Sequence, residues 1–234
     1  MCGRYTLIKL IDFVQLHPWI APPDGPPPAR YNIAPSQPVS AALNDEHPKL
    51  DSLLWGLVPS WAKDTSIGAR MINARAETLA EKPSFRTSLR RRRCLIPADG
   101  FYEWRREPDG KTRTPMYIRM RGGRPFAFAG LWDQWQSPDG SSIRSCTIIT
   151  TTPNRLLESI HDRMPVILAD DESCRRWLTP GEADARDMQE LLVPCRADQM
   201  EAYSVSRAVN SPRNDTPQCI EPAGQPRPTQ PGLF

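Results

Sequence analysis

The second residue of the 234-residue chain is a cysteine, Cys2. An initiator methionine is commonly trimmed ahead of a small residue, and loss of Met1 would turn Cys2 into a free 1,2-aminothiol. Its α-amine, with a pKa of about 7.7–8.0, and its thiol, at about 8.5, are each partly deprotonated near neutral pH. Such a pair has chemistry that an internal cysteine lacks. The amine condenses with an aldehyde to an imine, and the thiol then closes a five-membered thiazolidine ring. Alternatively, the thiolate attacks an acyl carbon with the amine as its base, as N-terminal-nucleophile amidases do. A cysteine that merely happens to follow the initiator is the plain alternative.

The other cysteines, Cys94, Cys146, Cys174, Cys195 and Cys219, lie far apart, and the chain has only 3 histidines. That spacing does not make a zinc site, and neither a metal nor another cofactor is expected. Without an export signal in the sequence as given, the thiols are read as reduced and the protein as cytoplasmic. No apolar run approaches the ~20 residues of a membrane span.

A second chemistry is written in arginine and tryptophan. The 30 Lys+Arg and 27 Asp+Glu leave a net charge of +3, which excludes a polybasic protein. The total hides a basic middle: Arg70, Arg75, Lys82, Arg86 and Arg90 to Arg93 stand against Glu77 and Glu81, while acids predominate from Asp170 to Asp198. Trp55, Trp61, Trp104, Trp132 and Trp135 fall in or near the basic part. Cations for phosphates and flat rings for unstacked bases are what single-stranded nucleic acid needs. The competing reading is that most of these tryptophans are core and the arginine run is a solvated face.

Positioning these groups requires a scaffold, and the 26 prolines argue against a helical bundle. Short apolar runs bounded by turn residues predict strands at 3–7, 39–43, 52–58, 95–102, 116–119, 125–132 and 143–151. Their connections are too short for parallel crossovers. Asp109-Gly110 and Asp139-Gly140 predict hairpin turns. Helices are predicted just after the first strand, over 154–159 behind Thr152-Pro153, and from Thr179-Pro180-Gly181-Glu182 to about Leu192. The sum is α+β: a single domain over 1–210 on a mainly antiparallel, barrel-like twisted sheet with peripheral helices. A proline-rich tail over 211–234 is expected to be disordered.

Six words occur in order: Met1-Cys2-Gly3-Arg4-Tyr5, Tyr31-Asn32-Ile33-Ala34-Pro35, Trp55-Gly56-Leu57-Val58-Pro59-Ser60-Trp61, Asn73-Ala74-Arg75-Ala76-Glu77-Thr78, Gly100-Phe101-Tyr102-Glu103-Trp104 and His161-Asp162-Arg163-Met164-Pro165. Together they resemble the SOS-response-associated peptidase (SRAP) family, from Met1 to about Val209. The resemblance implies a monomeric domain that binds single-stranded DNA and captures abasic sites as a thiazolidine on the processed N-terminal cysteine. It also implies autocatalytic removal of Met1, an AP-lyase activity and reversal of the crosslink. It assigns the chemistry to Cys2, Asn73, Glu103 and His161, and the DNA groove to Arg4, Arg75, Trp104 and Arg163. The basic character of Arg70 adds it to the phosphate-gripping set.

Those residue types fit that chemistry. An abasic sugar is mostly a closed hemiacetal, so capture needs a proton moved to expose the aldehyde. A partly desolvated carboxyl does this, and Glu103 stands between Tyr102 and Trp104. His161 follows the helix predicted from Thr152, and a histidine at a helix C-terminus holds a proton near neutral pH. Asn73 offers both a donor and an acceptor to orient the amine. A surface glutamate, a bland histidine and a loop asparagine are the ordinary alternatives. Two other functions stay open at this point: an N-terminal-nucleophile amidase acting on other substrates, and a non-catalytic nucleic-acid-binding module.

Overall fold

The computed structural model describes residues 2–25 and 28–224. The elements in chain order are β1 (Tyr5–Leu7), α1 (Leu10–Leu16), β2 (Arg30–Ile33), β3 (Pro38–Leu43), β4 (Leu50–Trp55), β5 (Asn73–Arg75), α2 (Pro83–Arg91), β6 (Arg93–Ala98), β7 (Gly100–Arg106), β8 (Arg113–Met120), β9 (Phe126–Gln136), β10 (Ser142–Thr151), β11 (Met164–Pro165), β12 (Ile167–Leu168), α3 (Asp171–Trp177), α4 (Ala185–Gln189) and β13 (Met200–Ser204). One sheet runs β13-β8-β7-β1-β2; the other runs β11-β10-β4-β3-β6-β9-β12. Because β9 also pairs with β10, the strands β10-β4-β3-β6-β9 close on themselves. The α+β, barrel-like architecture expected from the sequence is the one observed.

Closure buries strands on both faces. Every residue of β6 and the whole run from Phe126 to Leu131 in β9 is inaccessible to solvent. Such strands read as continuous apolar stretches, which is why they stand out in the sequence. The predicted hairpins form: Gly110 and Gly140 adopt φ of 66° and 89°, and the Asp109 carboxylate accepts from the amides of Lys111 (2.9 Å) and Thr112 (2.8 Å).

Four expectations are corrected. The single strand predicted at 95–102 is two strands in different sheets, parted at Asp99, whose buried carboxylate accepts from the amides of Ile8 and Lys9. Gly100 follows because a Cβ there would lie 2.5 Å from the Tyr117 ring. Pairing is not wholly antiparallel: β10 runs parallel to β4 and to β5, distant in sequence and joined through the intervening chain. The predicted helix at 154–159 is a turn, in which the Asn154 side chain, rather than Thr152, accepts from the amides of Leu156 and Leu157 at 3.1 Å. The box at Thr179 opens no helix; the helix begins after Asp184, whose carboxylate accepts from Arg186 N at 2.8 Å.

The segment 211–224 is also not a loose tail. The Asp215 carboxylate accepts from the Asn32 amide (3.0 Å) and from Arg30, the Asn32 side chain donates to the Asn214 carbonyl (2.7 Å), and Cys219 is fully buried. A polar, proline-rich composition conceals this, since its anchors lie in β2, far back in the chain. Residues 225–234 lie outside the described residues.

The arginine run is structural. Arg93 is fully buried and donates to the carbonyls of Trp177 (2.9 Å), Leu89 (3.3 Å) and Gly181 (3.4 Å). Arg90 and Arg91 pair with Glu182, and Arg92 with Asp133. The run thus fastens α2 to the Thr179–Glu182 loop. Among the tryptophans, Trp55 and Trp135 are core, Trp104 and Trp132 are half-buried, and Trp61 is 60% exposed. Among the described residues no helix is long and apolar enough to cross a membrane.

Candidate active site

The site is assembled where β1, β5 and β7 meet the turn before β11. In β1–β7, Tyr5 pairs with Phe101, and the Tyr102 amide donates to the Arg4 carbonyl at 2.9 Å. Continuing that register brings the residues before Arg4 alongside Glu103. Asn73 opens β5, which is held in place by its parallel pairing with β10. The loop between Gly56 and Asn73 folds back tightly: Gly56 has φ of 130°, and a Cβ there would lie 2.7 Å from the Gly68 carbonyl oxygen. That close approach needs glycine.

Cys2 is fully buried. Burial pushes its thiol well above the ordinary range, the Glu103 charge adds to this, and a hydrogen bond from the Arg4 amide opposes it. The thiol is therefore protonated at neutral pH and needs a base. Asn73 Nδ2 donates to the Cys2 carbonyl (3.0 Å) and to the Ile72 carbonyl (2.7 Å). Two carbonyls on that side fix which end of the amide is the NH2 group. Asn73 Oδ1 faces the other way, buried and without a hydrogen-bond partner among the described residues.

Glu103 lies on β7 and is only 2% exposed. Burial raises its carboxyl to about 7, with the positive charge of the chain's amino terminus opposing the rise. A carboxyl at that value shuttles protons in either direction at physiological pH.

His161 Nε2 stands 3.8 Å from Glu103 Oε2. The Arg163 amide donates to His161 Nδ1 at 3.0 Å, which leaves the imidazole proton on Nε2, the nitrogen facing Glu103. The exposed Asp162 carboxylate reaches the same Nδ1 at 2.9 Å and competes for it, favouring the other tautomer. The sequence expectation for this residue is corrected. With a turn in place of a helix there is no helix terminus to hold a proton, and burial lowers the His161 pKa.

The structure thus brings Cys2, Asn73, Glu103 and His161 together and divides the proposed groove residues. Arg70 and Arg75 are exposed and make no ion pair among the described residues. Arg163 is instead engaged: its guanidinium makes a two-pronged pair with Glu77 (2.7 and 2.9 Å) and donates to the Thr150 carbonyl (2.6 Å). Arg4 donates to Asn32 Oδ1 (2.8 Å), the Val209 carbonyl (2.8 Å) and the Asn210 carbonyl (3.3 Å). It also stands 6.0 Å from the centroid of the Trp104 ring, whose Nε1 donates to Asn210 Oδ1 at 2.8 Å. Arg4 and Trp104 accordingly hold the C-terminal segment to the site. Sequence reasoning missed Glu77 and Asn210. Glu77 sits inside a quoted motif, whereas nothing local marks Asn210. Among the described residues no group of three or more His, Cys, Asp or Glu is placed to hold a metal ion.

Comparison with known proteins places this geometry. The family model of the SOS response associated peptidase (SRAP) matches residues 1–212. The Bacillus subtilis protein named abasic site processing protein YoqW is 52% identical over 224 residues, covering 94% of this chain and 99% of its own. The mouse abasic site processing protein HMCES is 34% identical over 230 residues, covering 82% of this chain and 65% of its own. A crystal structure of a Bacteroides thetaiotaomicron protein superposes with a TM-score of 0.84 at 28% identity, covering 95% of this chain and 100% of that one. The chain belongs to the SOS response associated peptidase (SRAP) family.

Proposed function

We propose that the protein processes abasic sites in single-stranded DNA by capturing them on Cys2 once Met1 has been removed, and that it acts as a monomer in the cytoplasm. One observation carries the reading: a buried carboxyl raised to about 7, Glu103, whose charge acts on the Cys2 thiol and whose Oε2 lies 3.8 Å from His161 Nε2. The names of the relatives supply the lesion.

The groups act in sequence. Glu103 takes the proton of the sugar's C1′ hydroxyl and returns it to the ring oxygen, which His161 steadies by a hydrogen bond, and the hemiacetal opens to the aldehyde. The α-amine of Cys2 adds to C1′, and Glu103, protonated by the adding amine, assists the departure of water, leaving an imine. The Cys2 thiol then adds to the imine carbon, its proton passing to the nitrogen by way of Glu103. The product is a thiazolidine, and one water is released overall. Asn73 holds the Cys2 carbonyl, and its free oxygen accepts from the incoming amine or sugar hydroxyl. If the ring does not close, the imine permits β-elimination of the 3′ phosphate, which is the lyase branch; running the steps backwards reverses the crosslink. Removal of Met1 uses the same groups: the Cys2 thiol attacks the Met1 carbonyl, the amine leaves, and water hydrolyses the thioester.

The test is a denaturing gel with a single-stranded oligonucleotide carrying one abasic site, after intact-mass confirmation that Met1 is absent. A heat-stable adduct that disappears in Cys2→Ser supports the reading. The same adduct from Cys2→Ser refutes it.

A further inference from the structure

The motif Tyr31-Asn32-Ile33-Ala34-Pro35 takes no part in the chemistry above, yet Asn32 is fully buried. Its Nδ2 donates to the carbonyls of Val209 (3.1 Å), Ser211 (3.0 Å) and Asn214 (2.7 Å). Its Oδ1 accepts from Arg4 Nη1 at 2.8 Å. Carbonyls on one side and a cation on the other fix the orientation of the amide. The Asn32 backbone amide adds a bond to Asp215 (3.0 Å), whose carboxylate also receives Arg30 and the Tyr31 amide. The segment from Val209 to Asp215 is therefore knotted to β2 at one residue.

Arg4 carries that knot to the reacting groups. The same guanidinium that reaches Asn32 donates to the Val209 and Asn210 carbonyls. Its backbone is held as well: the Arg4 carbonyl accepts from the amide of Tyr102, the residue before Glu103, at 2.9 Å. The Arg4 amide in turn donates to the Cys2 thiol. Printed along the chain of contacts, the order is Asp215 and Val209, Asn32, Arg4, Cys2.

We infer that Asn32 is a positioning residue for Cys2, and that the segment from Val209 to Asp215 must be docked on it before the site can react. The inference rests on the capture reading above and adds what assembles the site. A buried polar network loses its members together, because each group left unpaired is costly in a dry interior. With the segment undocked, Arg4 loses its carbonyl partners and the short turn bearing the thiol is held only through Tyr102 and Asn73. Val209 lies 205 residues after Arg4. The site is thus completed only when the far part of the chain has folded onto β2, and Met1 removal waits on the same event.

The experiment uses full-length proteins made behind a removable leader, so that all begin at Cys2, as checked by intact mass. Asn32→Asp keeps the shape and the acceptor for Arg4 but lacks the donors. Asp215→Ala loosens the segment without altering the Asn32 or Arg4 side chains, and keeps the test decisive if the first variant fails to fold. Arg93→Met is the control for lost stability elsewhere. Adduct formation with an abasic single strand is followed below every Tm, giving the rate at saturation and the half-saturating strand concentration. The saturated rate is expected to fall on the order of 10²-fold in Asn32→Asp and tenfold in Asp215→Ala, as for a misplaced reacting group. The half-saturating concentration should not change, and the double variant should be no slower than Asn32→Asp, since both act through one device. Arg93→Met should react at the wild-type rate. A loss confined to the half-saturating concentration, a wild-type rate in Asp215→Ala, or an equal loss in Arg93→Met overturns the inference and leaves capture standing. A wild type that forms no adduct overturns the capture reading and this inference with it.

Discussion

Replacing Glu103 by glutamine should make the protein more stable and less active, and the size of the first effect follows from its environment. The carboxyl titrates at about 7 in the folded protein against 4.5 in the unfolded chain. Below pH 4.5 both states hold the proton and burial of Glu103 costs nothing in charge. Between 4.5 and 7 the unfolded chain releases its proton while the folded one keeps it, so stability falls as pH rises. Above 7 both are ionised and the full cost remains. A difference of roughly 2.5 units at about 1.4 kcal/mol each amounts to about 3 kcal/mol. Glutamine carries no charge at any pH and has nearly the same shape. The measurement is Tm against pH for both proteins, matched by intact mass for the same N-terminus. At roughly 2–4 °C per kcal/mol for a chain of this size, the glutamine variant should melt about 6–12 °C higher at pH 8, with the gap closing toward pH 4.5. Crosslinking should fall by a factor on the order of 10²–10⁴, the usual worth of a general acid–base. A Tm difference that is the same at pH 5 and pH 8, or a less stable variant at pH 8, refutes the claim that this carboxyl is held against its charge.

Three further outcomes follow from the contacts. Asn73→Asp removes the side-chain donor to the Cys2 carbonyl and one of the donors to the Ile72 carbonyl, and sets a carboxylate against both; adduct formation should drop sharply and stability fall by about 1–3 kcal/mol, read by gel and by urea denaturation. Arg93→Met and Arg75→Ala should separate structure from binding. The first strips the carbonyls of Leu89 and Trp177 of a buried partner and lowers Tm, whereas the second leaves Tm unchanged and weakens binding to any single strand, with a shallower salt slope. Gly100→Ala places a methyl group 2.5 Å from the Tyr117 ring, between two paired strands, and should cost about 1–3 kcal/mol in chemical denaturation.

The chemical inventory was readable without coordinates. Cys2 matters through its position in the chain, and the ordered motifs name Asn73, Glu103 and His161 by residue type. The closed sheet was readable as well, because stretches buried on both faces read as continuous apolar runs, as Cys94–Ala98 of β6 and Phe126–Leu131 of β9 do. Local helix signals were less reliable. The pattern at Thr179 is a good cap, yet the chain there is used to receive the guanidinium of Arg93, and tertiary contacts outweigh a local preference worth about 1 kcal/mol.

What tertiary structure alone decided is the state of each group. Whether Glu103 is a surface carboxylate or a half-protonated buried acid depends on how much water the packed sheet excludes, and desolvation has no sequence signature. The same holds for the arginines. Arg93 and Arg75 are indistinguishable as letters, but one is enclosed by carbonyls and the other faces solvent. Composition counts charges, and only the fold determines which of them are already paired and which remain available to a phosphate.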